Sequence, residues 1–353
     1  MLGVLRAEND MESTLANWGS DESGLIVGYL FEEGRAPTPI DSSAAGPMLE
    51  EGLRNPQDSA PSRFIWLHFN LANSGAQRWL QRNAKLSPSF FEALQNKLRS
   101  TRVERDENWL VAVVNDVHFD FSFDSSDIST LWINLDNALV VTARHMPLRS
   151  VDQLRTRIKG GLSFHSSSEF LEHLLRSQAD VLVDIVRSVT SRIDDIEDDL
   201  LAGKPRYKRV KLGSLRRLLV RLRRLLAPEP ASLFRLLQHP PLWMTAEDVQ
   251  ALREASEEFS VVLSDMASLQ ERIKLLQEEV STAMTEENNR TLFVLTTVTV
   301  LALPINIMAG LFGMNVGGIP LSQHPYGFWI VVLLVVVITS TAAWITLTNR
   351  KDD

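Results

Sequence analysis

Two apolar runs near the C-terminus stand apart from the rest of the hydrophobic pattern. Thr291 to Phe312 reads TLFVLTTVTVLALPINIMAGLF, and Tyr326 to Thr348 reads YGFWIVVLLVVVITSTAAWITLT. Neither contains Asp, Glu, Lys or Arg. Each meets the ~20 residues that a helix needs to cross the hydrocarbon core of a bilayer. Upstream of the first run, apolar positions alternate three and four apart: Leu252, Ala255, Phe259, Val262, Met266, Leu269, Ile273, Leu276, Val280 and Ala283. That spacing is a heptad seam. No Gly or Pro falls between Ala246 and Leu303, so one helix is predicted to run from the seam into the first apolar run. At ~1.5 Å per residue it would be on the order of 100 Å long. A domain of this size is not expected to cover such a helix alone, so the seam predicts self-association.

Earlier segments follow other periods. Gly24–Phe31, Arg63–Leu71 and Trp109–Asp120 are rich in β-branched and aromatic residues and predict strands. Thr130–Leu135 and Ala138–Arg144 predict two more, joined at Asp136-Asn137 in a hairpin turn. Ala76–Asn83 and Pro88–Leu98 read as helices, and Gly34–Pro61, rich in Pro, Gly and Ser, reads as loop. Strands interspersed with helices predict an α/β domain. From Glu169 to Leu201 an apolar helical stripe runs to a Gly203-Lys204-Pro205 stop. A basic helix over Tyr207–Leu226 follows, and together they predict a helical hairpin. The expected organisation is an extension (1–20), an α/β domain (21–165), a hairpin (166–245), a stalk (246–290), two spans (291–312 and 326–348), a loop between them (313–325) and a tail (349–353). The fold class is an α+β membrane protein.

Charge orients these parts. The 353 residues carry a net charge of −8 and contain no cysteine, which excludes disulfides and thiolate metal sites. The first residues lack the apolar core and positive flank of a secretory signal. The large N-terminal part is therefore expected in the cytoplasm, with two spans returning the C-terminus to the same side. Arg290 before the first span and Arg350 and Lys351 after the second agree with that orientation. The loop Gly313–Pro325 has no formal charge, and its only titratable side chain is His324.

The three-four spacing continues through the first span at Asn289, Leu292, Thr296, Thr299, Leu303, Asn306 and Gly310. An amide in lipid costs a few kcal/mol unless it is satisfied. Asn306 therefore faces either a watery channel or a hydrogen-bonding neighbour helix. The threonines add little singly, because a Thr hydroxyl can bond its own helix backbone. Leu292 and Leu303 fit either hydrophobic gates or packing residues. Pro304 predicts a bend.

The span ends in Leu311-Phe312-Gly313-Met314-Asn315. This segment resembles the motif that closes the first membrane helix of the CorA-type divalent-cation transporters. Pro304, Ala309-Gly310 and the stretch Leu225-Leu226-Ala227-Pro228 are similar to that family's pattern as well. The resemblance implies a homopentameric funnel whose first span lines a central pore. Gly313 would allow a tight exit from the helix, and Asn315 a ring of neutral carboxamides suited to a hydrated cation. Many magnesium and cobalt transporters of the family carry carboxylates after the tripeptide. Here Val316-Gly317-Gly318-Ile319-Pro320-Leu321 follows, which resembles the zinc-transporting ZntB-like branch. That likeness implies Zn2+ uptake across a bacterial inner membrane, driven by or coupled to the proton gradient. A Mg2+, Co2+ or Ni2+ channel on the same scaffold is one rival, and a non-transporting membrane-anchored sensor is another.

Other features yield less. The acidic run Asp194, Asp195, Glu197, Asp198 and Asp199 reads as a solvated face or a regulatory cation site. The arginines Arg216, Arg217, Arg221, Arg223 and Arg224 are expected to pair with nearby carboxylates rather than nucleic acid. Glu169 and His173, one helical turn apart, and His324 are the weak metal candidates. No nucleotide loop, nucleophile motif or zinc-hydrolase helix is present, so no enzyme and no resident cofactor is expected.

Overall fold

The computed structural model describes residues 19–54, 63–96, 100–124, 126–202, 208–313 and 324–348. Seven strands form one sheet in the order β2-β1-β3-β7-β6-β5-β4. They are β1 (Leu25–Glu32), β2 (Thr38–Ile40), β3 (Arg63–Asn70), β4 (Arg102–Asp106), β5 (Trp109–Val117), β6 (Ile128–Leu135) and β7 (Leu139–Arg144). Every neighbouring pair is antiparallel except β3 with β7, which run parallel from Ile65–Leu139 to Asn70–Arg144. The predicted hairpin is β6–β7. The Asp136 carboxylate accepts from the Ala138 and Leu139 amides at 2.8 and 2.9 Å, which closes the turn.

Helices cover both faces of the sheet. One face carries α1 (Ser42–Arg54), α2 (Ser74–Asn83) and α3 (Pro88–Gln95), whose Ala45, Ala76, Leu80, Phe90 and Ala93 meet Ile65, Leu67, Val113 and Val141. The other carries α4 (Arg149–Lys159), α5 (Ser167–Leu201), α7 (Pro228–Leu236) and the first part of α8 (Ala246–Phe312). Here Phe170 packs its ring 4.8 Å from Trp66 and 5.4 Å from Phe164. With both faces covered, β3, β5, β6 and β7 read as nearly continuous apolar runs.

The segment read as loop contains β2 and α1. Asp41 begins α1 by accepting from the Ser43 and Ala44 amides, and Ala45 is fully buried. Capping and burial outweigh the helix-breaking Gly46 and Pro47. Strand β4, RVERD, also escapes the pattern, because an edge strand with charged side chains lacks the apolar alternation. Pro228, expected to follow a helix end, opens α7, consistent with proline's tolerance in a first helical turn.

The α5 stripe and the α8 seam are both realised, and the seam brings a correction. Leu252, Phe259, Met266, Ile273, Leu276 and Val280 are all buried within one chain. As far as Arg272 the helix lying beside this seam is α5, which runs parallel to α8. Ser166 meets Asp248, Arg176 meets Glu258, and Asp194 meets Arg272 as both helices advance. Helix α6 (Lys208–Leu226) packs on α5 and turns Leu212, Leu215, Leu218, Leu219 and Leu222 inward. The heptad spacing therefore records intrachain packing and gives no evidence of self-association.

The chain forms two compact units. One holds the sheet and its helices as far as Leu276, and the other holds residues from Gln277 onward.

Replacing Phe170 with Ala empties the centre of the larger core. A loss of ~3–5 kcal/mol is expected, as for other buried Phe truncations, read as a lowered midpoint in denaturant unfolding of the purified protein.

Candidate ion pathway

Helix α8 continues without interruption through Pro304 to Phe312. By length and composition it is the one described helix that can cross a membrane, and its apolar segment is not buried. Helix α9 (Gly327–Thr348) follows, with Gly327–Thr341 as a shorter apolar stretch.

The predicted stripe lies wholly on the open side of α8. Asn289, Thr296, Thr299, Asn306 and Gly310 are exposed, as are Leu292 (59%) and Leu303 (57%). A different row, Phe293, Thr297, Leu301, Pro304 and Met308, is partly covered. Thus the two rows occupy distinct helix faces, and Thr297 belongs to the covered one. Thr299 spends its hydroxyl on the Leu295 carbonyl at 2.9 Å. Asn306 has no side-chain hydrogen bond among the described residues.

At Gly313 the amide donates to the Ala309 carbonyl at 2.9 Å. A Cβ built there would also lie 2.9 Å from that oxygen. Gly313 does not have a positive φ. A side chain here would crowd the Ala309 carbonyl, which favours glycine at this position. Met314 and Asn315, with the run Val316–Leu321, lie outside the described residues. His324 is exposed, and its Nδ1 accepts from the Tyr326 amide at 3.3 Å.

The weak metal candidates have local employment. Ser166 caps α5 by accepting from the Glu169 amide at 3.0 Å, and Glu169 in turn accepts from the His165 amide at 2.6 Å. His173 lies against the Phe164 ring at 5.1 Å. Among the described residues, no group of three or more His, Asp or Glu is placed to hold a metal ion.

The acidic end of α5 has a partner that the sequence reading did not single out. Arg272 of α8 places Nη2 2.7 Å from Asp194 and also contacts Glu197. These two hydrogen bonds hold the guanidinium above its ordinary pKa. Arg223 of the basic helix instead reaches Gln270 at 3.5 Å. No sequence signal marks Arg272, because its partners lie 75 and more positions away.

The chain thus combines an α/β sheet domain with one long helix whose apolar part is long enough to cross a membrane. The chain matches the family model described as CorA-like Mg2+ transporter protein over residues 61–349. It belongs to that family, a family of ion transporters and not of enzymes. It is 28% identical to the divalent cation transporter CmaX of Pseudomonas aeruginosa over 330 residues, covering 92% of this chain and 96% of that one. It is 26% identical to the zinc transport protein ZntB of Yersinia enterocolitica over 279 residues, covering 79% and 85%. The structure of full-length CmaX superimposes with a TM-score of 0.75 at 26% identity, covering 94% of this chain and 99% of that one. The CorA magnesium transporter of Methanocaldococcus jannaschii gives a TM-score of 0.71 at 22% identity, covering 90% and 96%, a likeness of fold alone.

Arg272→Ala removes a guanidinium that is 36% exposed and pairs with carboxylates exposed to 52% and 40%. The expected loss is under ~1 kcal/mol, smaller at high salt. Urea unfolding at two ionic strengths measures both.

Proposed function

We propose that the protein is a homo-oligomeric, most simply pentameric, transporter of divalent cations, with zinc as its first substrate. The observation that carries this reading is the extent of the family match, which runs from the sheet through both apolar helices. The exposed row Asn289, Leu292, Thr296, Thr299, Leu303, Asn306 and Gly310 lines the pathway in this proposal. Gly313, Met314 and Asn315 form its mouth. Neighbouring copies supply the polar surroundings that Asn306 lacks in the single chain. Amide and hydroxyl oxygens suit a cation that keeps part of its water shell, since they can bond that water without gripping the ion.

The choice of zinc rests on the uncharged Val316–Leu321 run and on the similarity to ZntB. The similarity to CmaX, described only as a divalent cation transporter, supports the broader reading that includes Mg2+, Co2+ and Ni2+. Both termini lie in the cytoplasm of this inner-membrane arrangement, and a proton gradient drives uptake.

Two measurements test the proposal. In proteoliposomes under a set pH gradient, Zn2+ influx is expected to exceed that of Mg2+, Co2+ and Ni2+, and Asn315→Ala is expected to abolish or grossly alter it. Unchanged flux and selectivity in that variant would remove Asn315 from the mouth. Native mass spectrometry is expected to give five copies per particle.

A further inference from the structure

Two carboxyl groups sit inside the α/β unit, away from the proposed pathway. Glu229, near the start of α7, is only 2% exposed, and Asp116 of β5 is 3% exposed. The side-chain amide of Gln178, on α5, links their surroundings. Its Nε2 donates to the Asn115 carbonyl at 2.6 Å and to Glu229 Oε2 at 3.2 Å. Glu229 Oε1 has no hydrogen-bond partner among the described residues. The cavity beside it is lined by Leu175 of α5, Pro230 and Leu233 of α7, and Ala255, Ser256 and Phe259 of α8.

The two acids are treated differently. Asp116 Oδ2 accepts from the Ser150 amide at 3.0 Å and its hydroxyl at 2.5 Å, and Oδ1 accepts from the Val117 amide at 2.7 Å. Arg149 also faces Asp116. Glu229 receives one amide donor, and the charge acting on it is that of Asp116. Among the described residues, no charged side chain of α5 or α8 lines the cavity, and neither β4 nor α6, which also pack on α7, contributes to its wall. Burial, followed by the neighbouring Asp116, pushes Glu229 up to about 8 from an ordinary 4.5. Burial lifts Asp116 to about 6 against the pull of Ser150.

We propose that Glu229 is a proton-operated latch that seats the start of α7 against α8. Protonated, it remains sealed among Gln178, Leu175 and Phe259. Ionised, it places a second buried negative charge beside Asp116 with an oxygen that no donor meets. The remedy is water, which enters by parting α7 from Ala255, Ser256 and Phe259. The seat on α8 matters because the same helix continues into the apolar segment.

The sign follows from linkage. The folded protein holds this proton more tightly than the unfolded chain, so the stabilisation is complete below about 4.5 and is lost as pH rises through about 8. The latch does not depend on which ion is carried, or on whether any is, so its test needs no flux. Hydrogen exchange of the full-length detergent-purified protein would be followed from about pH 6 to about pH 9.5, corrected for intrinsic rates. Opening of Pro228–Leu236 and of residues 252–259 is expected to rise by up to about tenfold per pH unit from pH 6 towards pH 8 and to level off above about 8. Glu229→Gln should flatten that rise. Asp116→Asn, which removes the facing charge, should move the levelling-off to lower pH. A wild-type profile that stays flat across the range overturns the proposal even if neither variant folds, as does a Glu229→Gln profile with the wild-type slope.

Discussion

Covering both faces of one seven-stranded sheet is the constraint on which the other elements depend. Strands β3, β5, β6 and β7 are apolar on both sides, and an uncovered face would leave several hundred Å2 of hydrocarbon in water. Three short helices close one side. Closing the other takes α4, α5, α7 and the first turns of α8. That demand places α8 against the sheet through Leu252 and Ala255 and aligns α5 beside it. The seam of α8 is consumed by the chain's own helices as a result. The row from Asn289 to Gly310 stays exposed among the described residues.

The interior also shows how polar groups are admitted to such a core. Thr142 accepts from Trp66 Nε1 at 2.9 Å and meets His68 Nδ1 at 2.8 Å. Burial and the nearby Arg144 and Arg155 hold His68 well below its ordinary pKa, so it is a neutral core residue. Asp116 anchors the start of α4 through Ser150. Glu229 is the member of this set whose carboxylate is least provided for, which is why its protonation, rather than a fixed charge, fits the structure.

Legibility in the sequence followed the reach of the interactions. The β6–β7 hairpin could be read because its turn is closed within a few residues by Asp136. Helices α5 and α8 could be read because their stripes repeat for many turns. Helix α1 could not, since Gly46 and Pro47 argue against it locally and the burial of Ala45 argues for it only in the fold. The use of Arg272 by Asp194 and Glu197, and the meeting of Glu229 with Gln178 and Asp116, join residues far apart in the chain. At Gly313 the close neighbour is a carbonyl one turn back, that of Ala309.

By itself the sequence determined the α/β class, the long helix, the charge-free apolar segments and the family likeness, because each is written in local periodicity or in a contiguous motif. Only the tertiary structure decided what the seam packs against. A heptad spacing specifies an apolar face and is silent about whether a neighbouring helix of the same chain or of another copy fills it. Here α5, of 35 residues, lies alongside it as far as Arg272.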